Sequence, residues 1–195
     1  GAKVLHSRCV EIAKKYGVEL LVCSSLNRNS GTMVREKTKM EKMLISGVAA
    51  DKNVAKIRVA GLGNDPESTF RLLNLLDRNN LNIDVMIQSL GKDGTKSVSF
   101  TVAKPDMLRT IDVLNDNKDL LGIKKLDYDE NVAKVSVIGA GVRSHSGVAA
   151  KMFGALANAG INTEMVTTSE IRITALIDEA YADQAMRAIH ETFLE

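Results

Sequence analysis

The sequence has 195 residues, of which 45% are hydrophobic, and 26 basic side chains nearly balance 24 acidic ones. This length and apolar content allow one or two domains with a proper core. The balanced charge and the aromatic content of only 4% argue against a nucleic-acid-binding surface. No apolar run approaches the length of a membrane span and the first residues do not form a signal peptide, so we expect a cytoplasmic setting.

The first 32 residues predict one helix, one strand and a turn-rich segment, in that order. Apolar residues at helical spacing favour a helix within 2–16, the run 18–23 favours a strand, and 24–32 is rich in Ser and Asn. One helix and one strand cannot bury their apolar faces alone, so we expect this part to belong to a larger fold. Cys9 and Cys23 have no motif spacing and are expected to be buried and reduced.

From residue 56 onward the sequence contains two copies of one unit. The run KIRVAGLG at 56–63 matches KVSVIGAG at 134–141, and LNID at 81–84 matches INTE at 161–164. Matches in one order over this length are hard to obtain by chance, so we interpret them as an internal repeat.

Each copy predicts the order strand, helix, strand, strand, helix, strand. Alternating apolar residues mark the strands, and apolar stripes at helical spacing mark the helices. In the first copy the helix stripes contain Phe70, Leu72, Leu73, Leu75, Leu76 and Met107, Leu108, Ile111, Leu114. In the second copy they contain Val148, Ala149, Met152, Phe153, Leu156 and Ala185, Met186, Ile189, Phe193. The order βαββαβ is the ferredoxin-like plan, so the predicted fold class is α+β, with antiparallel sheets and the helices on one face.

The fourth strand of the second copy is missing from its expected place. That copy ends at Glu195, and one strand-like run, 43–49, precedes the first copy without a role in it. We therefore expect this run to join the sheet of the second copy, so that the first copy is inserted within the second. The predicted domains are 52–130 for the first copy, and 43–50 together with 131–195 for the second.

Two polar loops, each following the first strand of a copy, are the candidate binding sites. Residues 64–69 (NDPEST) and 144–148 (SHSGV) each lead into a predicted helix, where free backbone N–H groups favour an anion such as the carboxylate of a free amino acid. The alternative is that these residues only cap their helices. The preceding Gly-x-Gly turns lack the third glycine of a dinucleotide site.

The sequence does not suggest a catalytic or a metal site. His6, His145 and His190 are too far apart and too poorly accompanied to bind a metal together. Neither a Ser/His/Asp or Cys/His arrangement nor a Walker phosphate loop is present. We therefore expect no catalytic residue, metal or cofactor in this chain.

Several short motifs carry a family resemblance. They are GAKVLH at 1–6, EIAKKY at 11–16, Ser24-Ser25 with Gly31-Thr32, GAG at 139–141, SHSGV at 144–148 and TTSEIRI at 167–173. On these motifs the two units resemble ACT domains, and the whole chain resembles the C-terminal part of the aspartate kinase family, with residues 1–40 similar to the end of its catalytic domain. The sequence departs from that pattern at Ser7 and Ser146, where Pro is usual, and at Glu67, where Gly is common.

The resemblance implies an allosteric region that binds lysine or threonine for feedback control of aspartate phosphorylation, as a homodimer joined through its ACT domains. It also implies a catalytic domain or subunit as a partner, to which ATP and Mg would belong, and no activity of this fragment alone. One implied effector site consists of Asn64, Asp65, Ser68, Thr69 and Gln88 facing Asn162, Thr163 and Glu164. The second consists of Val142, Ser144, His145, Gly147 and Val148 facing Asn82, Ile83 and Asp84.

Two other functions stay open from the sequence. A ferredoxin-like enzyme of the acylphosphatase type would need an Arg and an Asn at a phosphate loop, and Arg143 is the nearest candidate. A purely structural module would dimerise without binding a small molecule.

Overall fold

The chain divides into two units, Gly1–Met43 and Leu44–Glu195, and each is considered by itself. The computed structural model describes residues 4–26, 30–35, 45–144 and 147–194. Among these residues, the helices are too short or too polar to cross a membrane.

The first unit contains one helix and one strand pair among its described residues. Helix α1 (Ser7–Lys15) begins after His6, whose Nδ1 accepts a hydrogen bond of 3.3 Å from the Arg8 N–H. His6 therefore caps the helix and does not lie within it. Strand β1 (Leu20–Val22) pairs antiparallel with β2 (Thr32–Val34), a strand that the sequence did not predict.

Both cysteines lie in this first unit as exposed free thiols, so the prediction that they are buried is wrong. Cys9 lies on α1, and Cys23 directly follows β1. The described part of the unit has one nine-residue helix and two three-residue strands, which are too few elements to cover both side chains.

The second unit is built on a six-stranded antiparallel sheet. Its strands are β3 (Gly47–Leu62), β4 (Met86–Leu90), β5 (Lys96–Ala103), β6 (Lys125–Ile138), β7 (Met165–Thr168) and β8 (Arg172–Asp178). They lie in the order β4-β5-β3-β6-β8-β7. Its helices are α2 (Pro66–Arg78), α3 (Met107–Asp116), α4 (Lys118–Leu121), α5 (Gly141–Ser144), α6 (Val148–Asn158) and α7 (Ala182–Leu194), with short 3-10 turns at Lys104–Asp106 and Glu179–Tyr181. This is the predicted α+β class with two ferredoxin-like units, joined in one sheet.

The two central strands, β3 and β6, are each shared by both copies of the repeat. The first part of β3 pairs with the end of β6, with Val48 opposite Val137. The second part of β3 pairs with β5 and with the start of β6, with Ile57 opposite Tyr128. Each long strand therefore supplies the last strand of one copy and the first strand of the other. Of the run 43–49 that was expected to join the second copy, residues 43 and 44 lie outside the described part of the chain.

A bulge marks the point where each long strand passes from one copy to the other. In β3 the Asp51 carboxylate accepts a hydrogen bond of 2.9 Å from the Asn53 N–H, and the register shifts between Asp51 and Lys56. In β6 the Asp129 carboxylate accepts the equivalent bond of 2.9 Å from the Asn131 N–H. Because both copies share these strands within one compact unit, the exact domain boundaries stay a prediction.

The helices of both copies cover the same face of the sheet. Two apolar clusters lie between sheet and helices, and a third consists of Val54, Val85, Val132, Met165 and Leu176. Neighbouring residues of a strand point to opposite faces. Ala175 and Ile177 belong to a helix-side cluster, whereas Leu176 between them belongs to the third. In the first copy, Met86 belongs to the helix-side cluster and Ile87 to the third. The third cluster therefore lies on the opposite face, which the described helices of this unit leave uncovered and which we call the helix-free face.

Two residues expected in the core are exposed instead. Phe70 on α2 is 65% exposed and Leu108 on α3 is 68% exposed. Helix α2 buries Ser68, Leu72 and Leu76, which recur every fourth position and so share one face. Phe70 lies two positions from that stripe, about 200° around the helix, and therefore faces solvent.

Candidate functional site

The loop that follows β3 is closed by its own aspartate. The Asp65 carboxylate accepts hydrogen bonds of 2.9 Å from the N–H groups of Glu67 and Ser68, and the Ser68 hydroxyl also donates to it. The Ser68 hydroxyl contributes most to holding the pKa of Asp65 below its ordinary value, and the two backbone N–H groups add to this effect. The positive end of α2 therefore already has a carboxylate, one supplied by the chain itself.

Two neighbouring residues, Lys96 and Gly63, accommodate this cap. The Lys96 ammonium on β5 donates a hydrogen bond of 2.7 Å to the Asp65 carbonyl oxygen. A side chain at Gly63 would place its Cβ 2.6 Å from the Asp65 carboxylate and 3.0 Å from the Ser68 hydroxyl. Glycine at this position therefore lets the backbone pass close to the capping carboxylate.

Thr69 and Gln88, which the family resemblance assigns to one effector site, contact each other. The Thr69 hydroxyl on α2 donates a hydrogen bond of 2.6 Å to the Gln88 side-chain oxygen on the edge strand β4. Gln88 and Asn64 are exposed, and Thr69 is half-buried. These polar groups form an open surface beside the start of α2, which we call the first loop surface.

The equivalent loop of the second copy has a different helix start. Helix α6 begins after Gly147, which offers no side-chain cap, and its first turn carries no acidic residue. Val148 is buried in the core and Val142 packs against the same core, so these two residues could meet a ligand only through their backbone. His145 lies outside the described residues, and Ser144 is described here only as the last residue of α5.

The segments 82–84 and 162–164 occupy equivalent places on the helix-free face. The Asp84 N–H donates to the Thr101 carbonyl on β5 at 3.1 Å, and the Glu164 N–H donates to the Leu176 carbonyl on β8 at 2.8 Å. The side chains of Asn82, Asn162 and Thr163 are exposed, and Ile83 packs against the helix-side core of the first copy.

The acidic side chain of each segment pairs with a lysine of the other copy. The Lys134 ammonium donates to the Asp84 carboxylate, and the Lys56 ammonium donates to the Glu164 carboxylate. The Arg172 guanidinium also lies 3.9 Å from Asp84. Sequence reasoning missed these basic residues, although Lys56 and Lys134 are equivalent positions of the repeat.

Within one chain, the segment 162–164 does not lie beside the first loop surface. Glu164 contacts Lys56, and Lys56 lies six residues before Leu62, where β3 ends. Six strand residues span about 20 Å. The implied first effector site is therefore not assembled from a single copy of the chain.

The segment 82–84 borders a pocket of about 280 Å³ on the second unit. Its polar lining consists of Asp51, Asp84 and Asp106, the amides of Asn53 and Asn82, and Lys134. Three carboxylates around one lysine make this pocket more suitable for an ammonium group than for a carboxylate.

Comparison with known proteins gives the family. The sequence model of the ACT domain matches residues 135–193. An aspartokinase of Pseudomonas aeruginosa is 38% identical over 196 residues, covering 99% of this chain and 48% of the relative. The ligand-free crystal structure of the regulatory subunit of aspartate kinase from Thermus thermophilus is 33% identical with a TM-score of 0.72, covering 77% of this chain and 99% of that chain. The chain belongs to the aspartokinase family.

The matches confirm the resemblance inferred from the sequence and identify the chain as a regulatory ACT-domain region of that family. It spans about half the length of the curated aspartokinases that it matches, 48% in the first and 47% in the second. The crystal structure of E. coli aspartokinase III in complex with lysine and aspartate is 25% identical with a TM-score of 0.78, covering 100% of this chain and 43% of that chain.

Proposed function

We propose that this chain binds an end-product amino acid, lysine or threonine, and thereby controls an aspartokinase catalytic domain that phosphorylates aspartate. The observation that carries the proposal is the match to an aspartate kinase regulatory subunit, which covers 77% of this chain and 99% of that subunit. The doubled polar loops add support, since a sensor of small molecules needs such surfaces and a purely structural module does not. The catalytic domain, with ATP and Mg, would be the partner, and the setting would be cytoplasmic.

A homodimer would complete the first effector site. Within one chain, about 20 Å of strand β3 separates Lys56, which contacts Glu164, from the strand end that leads into the first loop surface. A second chain lying side by side through its ACT domains would bring its own Asn162, Thr163 and Glu164 to that surface. We therefore propose that the effector binds between two chains, with Asn64, Thr69 and Gln88 from one of them.

The two proposed sites would differ in how they hold the carboxylate of the effector. At α2 the first N–H groups already bind the Asp65 carboxylate, so Asp65 and Ser68 would serve mainly to shape the loop. At α6 the N-cap is Gly147, so the backbone of Gly147 and Val148 would be the better place for the effector carboxylate. The ammonium group would then face Asp84 in the segment 82–84.

Isothermal titration calorimetry with L-lysine, L-threonine and L-methionine, with D-lysine as a control ligand, tests the proposal. We expect at least one L-amino acid to bind at millimolar concentrations or below. The double variant Thr69→Val with Gln88→Leu should weaken binding at the first site about tenfold, because it removes two hydrogen-bonding groups. Thr192→Val is the matched control, since its hydroxyl bonds only to the Ala188 carbonyl on α7, at 2.8 Å, among the contacts of the described residues.

Two different outcomes would overturn the proposed function. If none of the three L-amino acids binds and the chain is still dimeric in sedimentation, the chain is a structural module and the sensing proposal is wrong. If it hydrolyses acetyl phosphate, the acylphosphatase alternative replaces the proposal.

A further inference from the structure

Two ion pairs cross between the copies of the repeat in the same way. Asp84 precedes β4 and is bonded to β5, whereas its partner Lys134 lies on β6, with β3 between them. Glu164 precedes β7 and is bonded to β8, whereas its partner Lys56 lies on β3, with β6 between them. Each lysine therefore reaches over a central strand of the helix-free face to hold the segment of the other copy.

These lysines are more buried than ordinary surface lysines. The side chain of Lys134 is 15% exposed and that of Lys56 is 24% exposed. Lys134 also lies 3.4 Å from Asp51, on the strand that it crosses. Their partners Asp84 and Glu164 are 46% and 34% exposed, so each pair is partly removed from water. A partly buried pair is screened less by salt than a fully exposed one.

The segments that the lysines hold also cover the apolar cluster of the helix-free face. Val85 follows Asp84 and Met165 follows Glu164, and both are buried against that cluster. Movement of either acidic residue would therefore disturb a cluster that contains residues of both copies, since Val54 lies on β3 and Val132 on β6.

We propose that Lys56 and Lys134 are positioning residues that form a crossed clamp, so that binding of an effector at one site changes the affinity of the other. The coupling part rests on the proposed function, because the clamped segments 82–84 and 162–164 are the ones assigned there to the effector sites. The clamp itself is a property of the chain without ligand. An effector that draws Asp84 or Glu164 toward its ammonium group would compete with the lysine that holds this carboxylate, which belongs to the other copy. The movement would then disturb the apolar cluster that both copies share.

Hydrogen exchange of the ligand-free chain tests the clamp. Lys134→Gln should speed exchange at the Asp84 and Val85 amides about threefold or more while the Glu164 amide changes less, and Lys56→Gln should do the reverse. Lys125→Gln is the matched control, because Lys125 is paired at 2.8 Å with Asp127 on its own strand. The charge-exchanged variant Lys56→Glu with Glu164→Lys should restore much of the protection at Glu164, because it reverses the sense of that ion pair and keeps its attraction.

An equal increase in the exchange rate at both segments, or no increase, would overturn the clamp, since general destabilisation opens both copies alike.

Calorimetric titration of L-lysine with and without saturating L-threonine then measures the coupling. In the wild type, the affinity for L-lysine should change about fivefold or more when L-threonine is present. In Lys56→Gln and Lys134→Gln, the ratio of the affinities with and without L-threonine should be close to one. An unchanged ratio in these variants would overturn the coupling. If wild-type protein binds neither amino acid, the proposed function is wrong, and the exchange pattern alone decides the clamp.

Discussion

The Lys104 ammonium lies 2.9 Å from the Glu179 carboxylate, and each residue begins one of the two equivalent 3-10 turns. The turns follow β5 and β8, so this pair joins matching points of the two copies. Both side chains are one-third exposed, so we expect a modest stabilising effect.

Charge reversal at this pair should show its contribution. Lys104→Glu should lower the free energy of unfolding by about 0.5–1.5 kcal/mol, because it replaces an attraction by a repulsion. Lys104→Glu combined with Glu179→Lys should recover most of that loss. Urea unfolding of wild type, the two single variants and the double variant measures the coupling, and a double variant less stable than Lys104→Glu alone would contradict it.

Two substitutions of Asp65 separate the effect of its charge on stability from the effect of its hydrogen bonds to the start of α2. Asp65→Ala should lower the melting temperature by about 2–4 °C, because two N–H groups lose their acceptor. Asp65→Asn should change it little, because Asn is also a good N-cap. Thermal unfolding of both variants at neutral pH makes the comparison, and equal losses would show that the charge rather than the cap stabilises α2.

The pH dependence of this cap follows from the lowered pKa of Asp65, whose ordinary value is 3.8. Since the folded state holds the ionised form more strongly, the stabilisation is complete above the unfolded pKa. It is lost as the pH falls through the lower folded pKa. The difference in stability between wild type and Asp65→Asn should therefore change only at about pH 4 and below, which unfolding curves at graded pH would show.

Much of the fold could be predicted because local patterns agree with the tertiary structure. Helices α2 and α6 carry apolar stripes, and the matched runs at 81–84 and 161–164 fixed the order of elements in both copies. The fusion of strands into β3 and β6 was missed. The runs DKNVAK at 51–56 and DENVAK at 129–134 were not recognised as part of the repeat, although their Asp-x-Asn forms a bulge and not a turn.

The candidate site was predictable only in part. Thr69 and Asp65 were singled out because a polar loop at a helix start is a local pattern, and their part in binding an effector stays a prediction. Lys56 and Lys134 were missed because a lysine on a strand usually faces solvent, and its partner lies across another strand. That partner depends on how the two copies join, which neither copy specifies alone.

The buried hydroxyls of Ser136 and Thr174 should act as a unit. They lie 2.8 Å apart on neighbouring strands and are 8% and 3% exposed. Thr174→Val should cost about 1–3 kcal/mol, because it leaves the Ser136 hydroxyl buried without its partner. Adding Ser136→Ala should recover part of this cost. Chemical unfolding decides the point, and additive losses would show that the two hydroxyls are independent.

Two glycine-to-alanine substitutions should change stability in opposite directions. Gly63→Ala would bring a methyl group to 2.6 Å from the Asp65 carboxylate, so the cap must shift and the free energy of unfolding should fall by about 1 kcal/mol. Gly154 lies within α6 with open space around its Cβ position, so Gly154→Ala should raise that free energy by about 0.5–1 kcal/mol. Urea unfolding of both variants under one set of conditions tests this contrast. Combining Gly63→Ala with Asp65→Ala should add little further loss, because both changes remove the same cap, and full additivity would mean that Gly63 acts on something other than Asp65.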